Sequence, residues 1–290
     1  MSLTDSDSED AITNKEIAGE ASAPPASQAG VSSTTTQRNA FSELMKSKAK
    51  VPAQPTKDST SKSSSLAISF KGRDGLGAYT HDPAVFPPSR VIYYDDDFVV
   101  INDLYPKSSV HTLLLPRSPR SRLHPFDAFE DTDFLAKVQA EALKLKQLVA
   151  KELQRRYGQY SERDKVREAV LNGELEWNKE ELPEGREWER EAMVGIHAHP
   201  SMNDLHVHVI SRDMFSECLQ HRKHYESFNT PFFIDVTDFP LAKNDPRRHP
   251  GRAGFLNQDL KCWRCGQNFG KKFKQLKEHL KEEFEKWKQE

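Results

Sequence analysis

The segment DLHVHVI at residues 204–210 alternates polar and apolar side chains and constrains the fold more than any other segment. Side chains of a β-strand repeat every two residues, so this segment predicts a strand with one aliphatic and one polar face. The polar face carries Asp204, His206 and His208. The spacing alone allows three interpretations: surface histidines on an edge strand, a zinc site that needs a third ligand from elsewhere, or an imidazole nucleophile that attacks phosphorus.

The segment HAHPSM at residues 197–202 comes just before this strand. Its proline and serine predict a turn, where free backbone N–H groups could receive an anion. We therefore place Ser201 and Met202 among the candidate residues for binding an anion.

The rest of the globular part predicts an α+β fold, an antiparallel sheet with a long helix packed on it. Between residues 127 and 156 the apolar positions recur three or four apart, which predicts an amphipathic helix with Asp131 or Thr132 as its N-cap. Short β-branched and aromatic runs predict strands at Val91–Tyr94, Phe98–Ile101 and Val110–Leu115.

Composition divides the 290 residues into three parts. Residues 1–65 are polar and predict a disordered tail, in which an apolar island at 41–45 is either a docking motif for a protein partner or a transient helix. Residues 66–243 predict the main domain, with a charged insert at about 155–191 that we interpret as a solvated helix or a loop. Residues 244–290 contain a polar linker and a small module.

Charge and cysteine content narrow the class of protein. The net charge of −2 gives no global attraction to nucleic acid, so any basic binding surface must be local. Three cysteines cannot form a disulfide framework, and the polar N-terminus does not resemble a secretion signal. Because no apolar run approaches the length of a membrane helix, we expect an intracellular, reducing compartment and no membrane partner.

The last module carries the spacing Cys262-x2-Cys265-x13-His279-x3-Glu283. A Cys-x2-Cys pair followed by a histidine on a helix is typical of zinc sites. No second histidine follows, but Glu283 lies one helical turn after His279 and can complete the tetrahedron, with Glu282 as the weaker candidate. A redox-active cysteine pair is the competing interpretation, although no thioredoxin-like pattern surrounds it. We expect structural zinc and no catalytic metal.

The histidine strand resembles the signature of the histidine-triad superfamily, His-φ-His-φ-His-φ-φ, where φ is apolar. The resemblance implies that His206 is the nucleophile and that His208 contacts phosphate. Asp204 departs from the pattern at the first histidine. Its carboxylate could accept a hydrogen bond from the imidazole of the nucleophile and select the tautomer, as other His–carboxylate pairs do.

The resemblance narrows to the aprataxin branch, particularly its fungal-type members, on GIHAHPSMNDLHVHVISRD, KHYESFNTPFF and YYDDDFVVINDLYPKSSVHTLLLPR. It implies that His197 is a further phosphate-contacting histidine and that Lys223 is a basic active-site residue. It also implies that the carboxylate of Asp103 accepts hydrogen bonds from the ribose hydroxyls. For His111, packing in the core is the alternative to a functional role. The resemblance implies that the nucleotide side comprises Asp103, Tyr105, Lys107, His111, Ser201 and Met202.

Contacts with DNA are implied at two places. Phe70 corresponds to an aromatic residue in a leading helix that stacks on the exposed base pair beside the lesion, with core packing as the alternative. The basic start of the finger helix, at Lys271, Lys272 and Lys274, suits phosphate contacts, with a solvated charged face as the alternative.

The resemblance thus implies a nuclear, monomeric DNA-repair enzyme that removes AMP from adenylated 5′ ends of nicked DNA through a covalent histidine–AMP intermediate. RNA–DNA junctions, guanylated ends and 3′-blocked ends are further candidate substrates. One alternative is a hydrolase of AMP amides or dinucleoside polyphosphates, which the finger disfavours because a small substrate needs no DNA clamp. Another is a non-catalytic zinc-finger adaptor for DNA ends, which the departure at Asp204 favours.

Overall fold

The structure is a computed structural model, and it describes residues 70–290. The predictions for the tail at residues 1–65 and for the island at 41–45 concern residues outside this range. Within the described range, none of the helices combines the length and the apolar character that crossing a membrane requires.

A six-stranded antiparallel sheet forms the centre of the main domain, with the strand order β1-β2-β3-β5-β4-β6. The three strands predicted in the first half are present, each within one residue of its predicted ends. The strands are β1 (Val91–Tyr94), β2 (Phe98–Asn102), β3 (His111–Pro116), β4 (Ala192–His197), β5 (Val207–Ser211) and β6 (Phe233–Asp235).

The histidine strand is central in this sheet. β5 lies between β3 and β4, and the side chains of His206 and His208 are buried. The interpretation of surface histidines on an edge strand is therefore wrong. The aliphatic face of the segment, which includes Leu205, packs into the main core as predicted.

Helices and two short strands complete the described chain. They are α1 (Gly77–His81), α2 (Pro125–Ala128), α3 (Thr132–Tyr157), α4 (Glu162–Leu171), α5 (Arg222–Asn229), α6 (Pro250–Ala253), α7 (Phe273–Gln289), β7 (Leu260–Lys261) and β8 (Asn268–Gly270).

The long helix α3 packs on one face of the sheet. Its N-cap is Asp131, whose side chain accepts a hydrogen bond from the backbone N–H of Phe134 at 2.9 Å. The predicted apolar stripe is buried against the sheet and includes Val138, Leu145 and Val149. The opposite face of β2 and β3 packs with α1 in a separate cluster. The structure therefore has the predicted α+β fold.

The charged segment between α3 and β4 is exposed along most of its length but is anchored at one buried carboxylate. Asp164 accepts hydrogen bonds from the backbone N–H of Arg186 and from the indole N–H of Trp188, each at 2.8 Å. The indole of Trp188 belongs to the main core. These contacts direct the chain into β4, which ends at His197.

The C-terminal module consists of β7, β8 and α7, and it packs directly against the main domain. Leu276 and Leu280 are buried in a cluster shared with α5. Further along α7, Phe284 and Trp287 join the main core, and Trp287 has no exposed surface. The predicted docking of the finger beside the sheet is confirmed.

Candidate active site and metal site

Four buried imidazoles come together around the middle of the sheet. β5 and the residue before it contribute His208 and His206, while His111 begins β3 and His197 ends β4. The ring of His208 lies 4.5 Å from that of His197, 4.9 Å from that of His206 and 5.2 Å from that of His111 between centroids. A hydrophobic core does not require such a cluster, because each imidazole loses hydration on burial.

The hydrogen bond made by His206 fixes the tautomer of its ring. Nδ1 of His206 lies 2.8 Å from the backbone carbonyl oxygen of Asp204. Because a carbonyl can only accept, Nδ1 carries the proton and Nε2 keeps its lone pair. Burial lowers the pKa of His206, partly opposed by this hydrogen bond, so the ring is neutral near pH 7. A neutral imidazole with a free Nε2 lone pair is the form required of a nucleophile.

The carboxylate of Asp204 does not support the nucleophile in the way the sequence suggested. The hydrogen bond to His206 comes from the main chain of Asp204, and one side-chain oxygen instead lies 3.2 Å from Nε of Arg122. The hypothesis that the carboxylate accepts a hydrogen bond from the imidazole N–H is therefore wrong. The physical reason is that the main-chain carbonyl reaches Nδ1 two residues along the chain, whatever side chain stands at position 204.

A second chain of hydrogen bonds fixes the tautomer of His208. The backbone N–H of Lys107 donates to Nδ1 of His111 at 3.1 Å, so the proton of His111 is on Nε2. That Nε2 lies 2.9 Å from Nδ1 of His208, which must then be the acceptor. The proton of the neutral His208 ring is consequently on Nε2, which has no hydrogen-bond partner among residues 70–290. His208 thus offers an N–H donor to a ligand.

His197 reaches the site from β4, and Lys223 lies on the neighbouring helix α5. His197 ends β4, is buried, and its Nε2 has no hydrogen-bond partner in the described part of the chain. Burial, with a contribution from His206, lowers the pKa of His197 well below the usual imidazole range. Lys223 lies in the first turn of α5 and is half-buried. The site therefore contains four imidazoles whose pKa values burial lowers, which keeps the rings neutral near pH 7.

The loop between β2 and β3 lines one side of the histidine cluster. Asp103 accepts a hydrogen bond from the backbone N–H of Tyr105 at 2.8 Å, and its other carboxylate oxygen lies 3.4 Å from Nε2 of His111. Lys107 is buried, with its ammonium 5.9 Å from the ring centre of Tyr105. The predicted nucleotide-side residues Asp103 and His111 are thus brought together beside His208.

The turn before the histidine strand contains the two other predicted nucleotide-side residues. Ser201 is 1% exposed, and its hydroxyl has no hydrogen-bond partner within residues 70–290. Met202 is half-buried and packs against the cluster formed by α1 and the first three strands. Ser201 therefore has a polar group available for a ligand, whereas Met202 contributes to packing.

Phe70 lies two residues before the 3-10 turn Gly72–Asp74, whose N-cap is Lys71, rather than within a described helix. Its ring is half-buried and lies 5.7 Å from the ring of His81. A Cβ atom added to Gly77 would lie 2.7 Å from the Phe70 ring, so the absence of a side chain at Gly77 creates the seat for this ring. The ring combines packing on α1 with partial exposure, the combination that stacking on a base requires.

The C-terminal module gathers the four predicted metal ligands. One donor atom from each of Cys262, Cys265, His279 and Glu283 lies within 4.8 Å of the other three. Sγ of Cys265 is 3.1 Å from Nε2 of His279, which in turn is 3.9 Å from a carboxylate oxygen of Glu283. Two thiols, an imidazole and a carboxylate at this spacing fit a tetrahedral zinc ion.

A second group with metal-binding geometry lies in the histidine cluster, at Asp103, His111 and His208. It does not include His206. The zinc site built on the His206–His208 strand pair, one interpretation of the sequence, is therefore not formed among the described residues.

The predicted DNA-contacting lysines differ in their surroundings. The ammonium of Lys271 donates to the carbonyl oxygens of Asn257 and Gln258 at 2.7 and 2.9 Å. Lys271 thus ties the finger to the linker. Lys272 and Lys274 are exposed.

Comparisons with known proteins agree with this geometry. The HIT domain model matches residues 87–215, and the model of the C2HE / C2H2 / C2HC zinc-binding finger matches residues 229–286. An aprataxin-like protein of Schizosaccharomyces pombe is 36% identical over 221 residues, which cover 74% of this chain and 82% of that protein. The chain belongs to the aprataxin-like family.

Two further relatives of this aprataxin-family chain agree. An aprataxin-like protein of Saccharomyces cerevisiae is 34% identical over 215 residues, which cover 73% of this chain and 95% of that protein. A crystal structure of the aprataxin ortholog Hnt3 in complex with DNA matches with a TM-score of 0.57 and 31% identity, over 74% of this chain and 96% of that chain. The predicted family and fold are confirmed, and the chain is a histidine-triad hydrolase with a C-terminal zinc finger.

One residue next to the active site of this aprataxin-family chain was not found from the sequence. Arg122 ends the 3-10 turn Pro119–Arg122 and contacts both Asp204 and Asp74. The three residues are far apart in the chain, and nothing in the pattern RSPRSRL distinguishes this arginine from its neighbours.

Proposed function

We propose that this aprataxin-family chain removes AMP from adenylated 5′ ends of DNA, with His206 as the nucleophile. The observation that carries the proposal is the hydrogen bond from Nδ1 of His206 to the carbonyl oxygen of Asp204. This bond directs the free Nε2 lone pair to the reaction, and burial keeps the ring neutral.

In the first step, Nε2 of His206 attacks the phosphorus of the adenylate and forms a P–N bond. The P–O bond to the DNA 5′-phosphate breaks, and the oxygen leaves with the electron pair. Nε2–H of His208 donates to a phosphoryl oxygen on which charge develops, while His197 and Lys223 stabilise the leaving phosphate or donate to it. The Asp204 carbonyl stabilises the cationic ring of the adenylated histidine.

In the second step, water attacks the same phosphorus and the P–N bond breaks. The electron pair returns to Nε2 of His206, and AMP leaves with the oxygen of the water molecule after one water proton is lost. The ring then has its starting tautomer again, because Nδ1 keeps its proton throughout. The products are AMP and a DNA 5′-phosphate.

We assign the nucleotide side to Asp103, Tyr105, Lys107, His111 and Ser201, with Met202 as a packing residue beside it. The position of Asp103 near His111 supports this assignment, since the carboxylate is 3.4 Å from the ring that orients His208. A carboxylate there can accept hydrogen bonds from both ribose hydroxyls.

The zinc finger has a structural role in this proposal. Cys262, Cys265, His279 and Glu283 hold one zinc ion, which fixes the knuckle to α7 and takes no part in the reaction. Arg264 and Lys286 each lie 2.8 Å from a carboxylate oxygen of Glu283 and orient this ligand.

DNA contacts are assigned to Phe70 and to the start of α7. Phe70 stacks on the terminal base pair, and Lys272 and Lys274 contact phosphates, with Lys271 holding the finger to the linker. The complex of the related Hnt3 protein with DNA supports DNA binding, though it does not assign these residues. Nicked DNA is the proposed substrate, with RNA–DNA junctions as a further one.

The remaining assignments concern the whole chain. We infer a nuclear, monomeric protein, and we keep both interpretations of residues 41–45 in the tail at residues 1–65, a docking motif for a protein partner or a transient helix. We place the boundary between the catalytic domain and the linker with its finger at residues 243 and 244, and we treat residues 155–191 as an insert. The anchoring of this insert at Asp164 supports a role in holding β4.

The adaptor hypothesis loses its main argument in the structure. It relied on the departure at Asp204, but the nucleophile is supported by the main-chain carbonyl of that residue. The departure therefore leaves the chemistry of His206 intact.

A comparison of two substrates tests the proposal. The intact chain and a His206→Ala variant are incubated with a nicked duplex that carries a 5′-AMP, and separately with an AMP amide. We expect AMP release from the duplex by the wild-type chain alone. Turnover of the amide without turnover of the duplex supports a small-nucleotide enzyme, and DNA binding without any turnover supports the adaptor.

A further inference from the structure

The side chain of Asp204 is buried at the position where the superfamily signature has its first histidine. The residue is 2% exposed, and Oδ1 lies 3.2 Å from Nε of Arg122. Oδ2 has no hydrogen-bond partner among residues 70–290. A buried carboxylate with so few donors depends on its one cation, because desolvation disfavours the charge. Arg122 is consequently the main stabilising partner of this side chain.

The residues next to Asp204 and Arg122 are joined through the main chain. The backbone N–H of Leu205 donates to the carbonyl of Ser121 at 2.7 Å, next to the ion pair of Asp204 with Arg122. Two adjacent contacts thus fasten the 3-10 turn Pro119–Arg122 to the segment before β5. The carbonyl of Asp204 that orients His206 lies in this fastened segment.

Arg122 also reaches a third segment. Its Nη1 lies 2.8 Å from Oδ1 of Asp74, and the same oxygen accepts a hydrogen bond from Nδ2 of Asn203 at 3.0 Å. A Cβ atom added to Gly77 would lie 3.3 Å from Nη2 of Arg122 and 2.7 Å from the ring of Phe70. The guanidinium of Arg122 and the ring of Phe70 therefore both pack against Gly77.

These contacts make Arg122 a bridge between two regions of the molecule. One arm holds Asp204, whose main chain orients the nucleophile, and the other holds Asp74 in the turn that follows Phe70. The planar guanidinium suits this role, since its N–H groups can serve two carboxylates at fixed angles. An open groove of about 590 Å³ lies beside the bridge, lined by Phe70, His81, Arg117, Arg122 and Asp204 among others.

We propose that Arg122 is a positioning residue for His206, acting through its ion pair with Asp204, and that it couples the segment carrying Phe70 to the nucleophile. The inference rests on the proposed function, because it concerns the orientation of the adenylated histidine. The competing role for Arg122, whose side chain is 47% exposed, is a direct contact with a DNA phosphate.

A double-mutant comparison separates these two roles. Single-turnover AMP release from saturating nicked, adenylated duplex is measured for Arg122→Gln, Asp204→Asn and the double variant. We expect Arg122→Gln to lower the rate by roughly 10- to 100-fold, since small displacements of a reacting group have effects of this size. The loss arises because the buried carboxylate of Asp204, left without its cation, displaces the segment that carries it. Asp204→Asn removes this charge, so it should cost little rate alone and should restore most of the lost rate in the double variant.

The control is Arg120→Gln. Arg120 lies on the same 3-10 turn and pairs with Asp131 at 2.8 Å, on the side of helix α3. It should release AMP at the wild-type rate. If Arg122→Gln is unstable, Arg122→Lys takes its place. Lysine keeps the charge but cannot contact both carboxylates, so the loss of rate should be smaller. Asp204→Asn should relieve this loss as well.

Two further measurements decide between positioning and phosphate contact. If Arg122 positions His206, the Arg122→Gln variant keeps the wild-type dissociation constant for the duplex, with the same salt dependence. In the free Arg122→Gln protein, the His206 ring then shifts from the Nδ1–H tautomer to a mixture of the two tautomers, which nitrogen-15 NMR of the imidazoles detects. A phosphate contact weakens DNA binding, lowers the salt slope by about 1 and gains nothing from Asp204→Asn.

The outcomes are distinguishable from failure of the proposed function. If the wild-type chain releases no AMP from the duplex, the proposed function is wrong, while the NMR comparison still tests the coupling. Wild-type rates in both Arg122 variants, or a weakened affinity without rescue, would overturn the inference.

Discussion

Nε2 of His111 lies 2.9 Å from Nδ1 of His208, and this contact fixes which nitrogen of His208 carries a proton. Because the N–H of Lys107 occupies the other nitrogen of His111, the proton of His111 must lie on Nε2. The sequence left two roles open for His111, a functional one and packing in the core, and the structure is consistent with both. It is buried in the core and it directs the N–H of His208 to the ligand.

Replacing His111 should separate its two roles. The amide of a glutamine can place a donor near the position of Nε2, whereas an asparagine cannot reach it. We expect His111→Asn to lower the single-turnover rate of AMP release by roughly 10- to 100-fold, the usual effect of removing a residue that orients a catalytic group. His111→Gln should retain a larger share of the rate. Thermal unfolding of both variants controls for packing, and equal rates would contradict the assigned tautomer.

The pH dependence of the reaction should reflect the burial of the nucleophile. Burial lowers the pKa of His206, so the neutral ring persists to a lower pH than a free imidazole does. We therefore expect the acid limb of kcat/KM, which reports the free enzyme, to have its midpoint below about 6.5. The measurement is a kcat/KM profile on the adenylated duplex at constant ionic strength. A midpoint above the ordinary imidazole value would contradict a buried, neutral nucleophile.

We expect Arg186 to stabilise the packing of the zinc finger against the main domain. Its guanidinium lies 4.3 Å from the ring centre of Trp188 and 4.7 Å from that of Trp287. Nη1 donates to the carbonyl of Trp287 at 2.5 Å, and Nη2 lies 3.1 Å from a carboxylate oxygen of Glu191. The indole N–H of Trp287 donates to the other oxygen of Glu191 at 2.7 Å. One cation thus links α7 to the segment that leads into β4.

We expect Arg186→Ala to lower the free energy of unfolding by about 3 kcal/mol, because it removes a buried cation that stacks on two indoles and leaves the partly buried carboxylate of Glu191 without it. Urea denaturation followed by tryptophan fluorescence measures the change. Arg190→Ala is the matched control, since Arg190 is 82% exposed and should contribute less than about 0.5 kcal/mol. Similar effects of the two substitutions would show that the stacked cation does not hold the finger.

Glu283 should be the fourth zinc ligand and not only a partner of Arg264 and Lys286. We expect Glu283→Ala to weaken zinc retention by at least about tenfold, since loss of a ligand exceeds the usual cost of losing a residue that orients one. Competition with a chelator and elemental analysis measure the change. Glu282→Ala, the neighbouring carboxylate, should retain zinc as the wild-type chain does. Unchanged zinc affinity in Glu283→Ala would assign this carboxylate to the salt bridges alone.

Much of this arrangement could be predicted from the sequence because its signals are local. Alternation along residues 204–210, the apolar stripe of α3 and the Asp131 cap each depend on neighbours within a few positions. The four metal ligands depend on a short spacing, and the structure brings them within 4.8 Å of one another. Local periodicity and spacing were therefore enough to predict these helices and strands and the zinc finger.

The rest depends on contacts that no local pattern contains. The alternating segment looks the same in an edge or a central strand, so the burial of His206 and His208 follows only from the sheet order. The contact of Arg122 with Asp204 and the stacking of Arg186 on Trp287 join distant segments. The support of His206 by a main-chain carbonyl was missed because sequence patterns report side chains.

The most direct test of the account is detection of the covalent intermediate. The chain is mixed with nicked duplex bearing a 5′-AMP and quenched within a single turnover, and peptide mass spectrometry under conditions that preserve P–N bonds locates the adenylyl group. The account predicts a transient adduct on His206 that forms before AMP appears and is absent in His206→Ala. An adduct on another residue, or AMP release by His206→Ala at the wild-type rate, would contradict it.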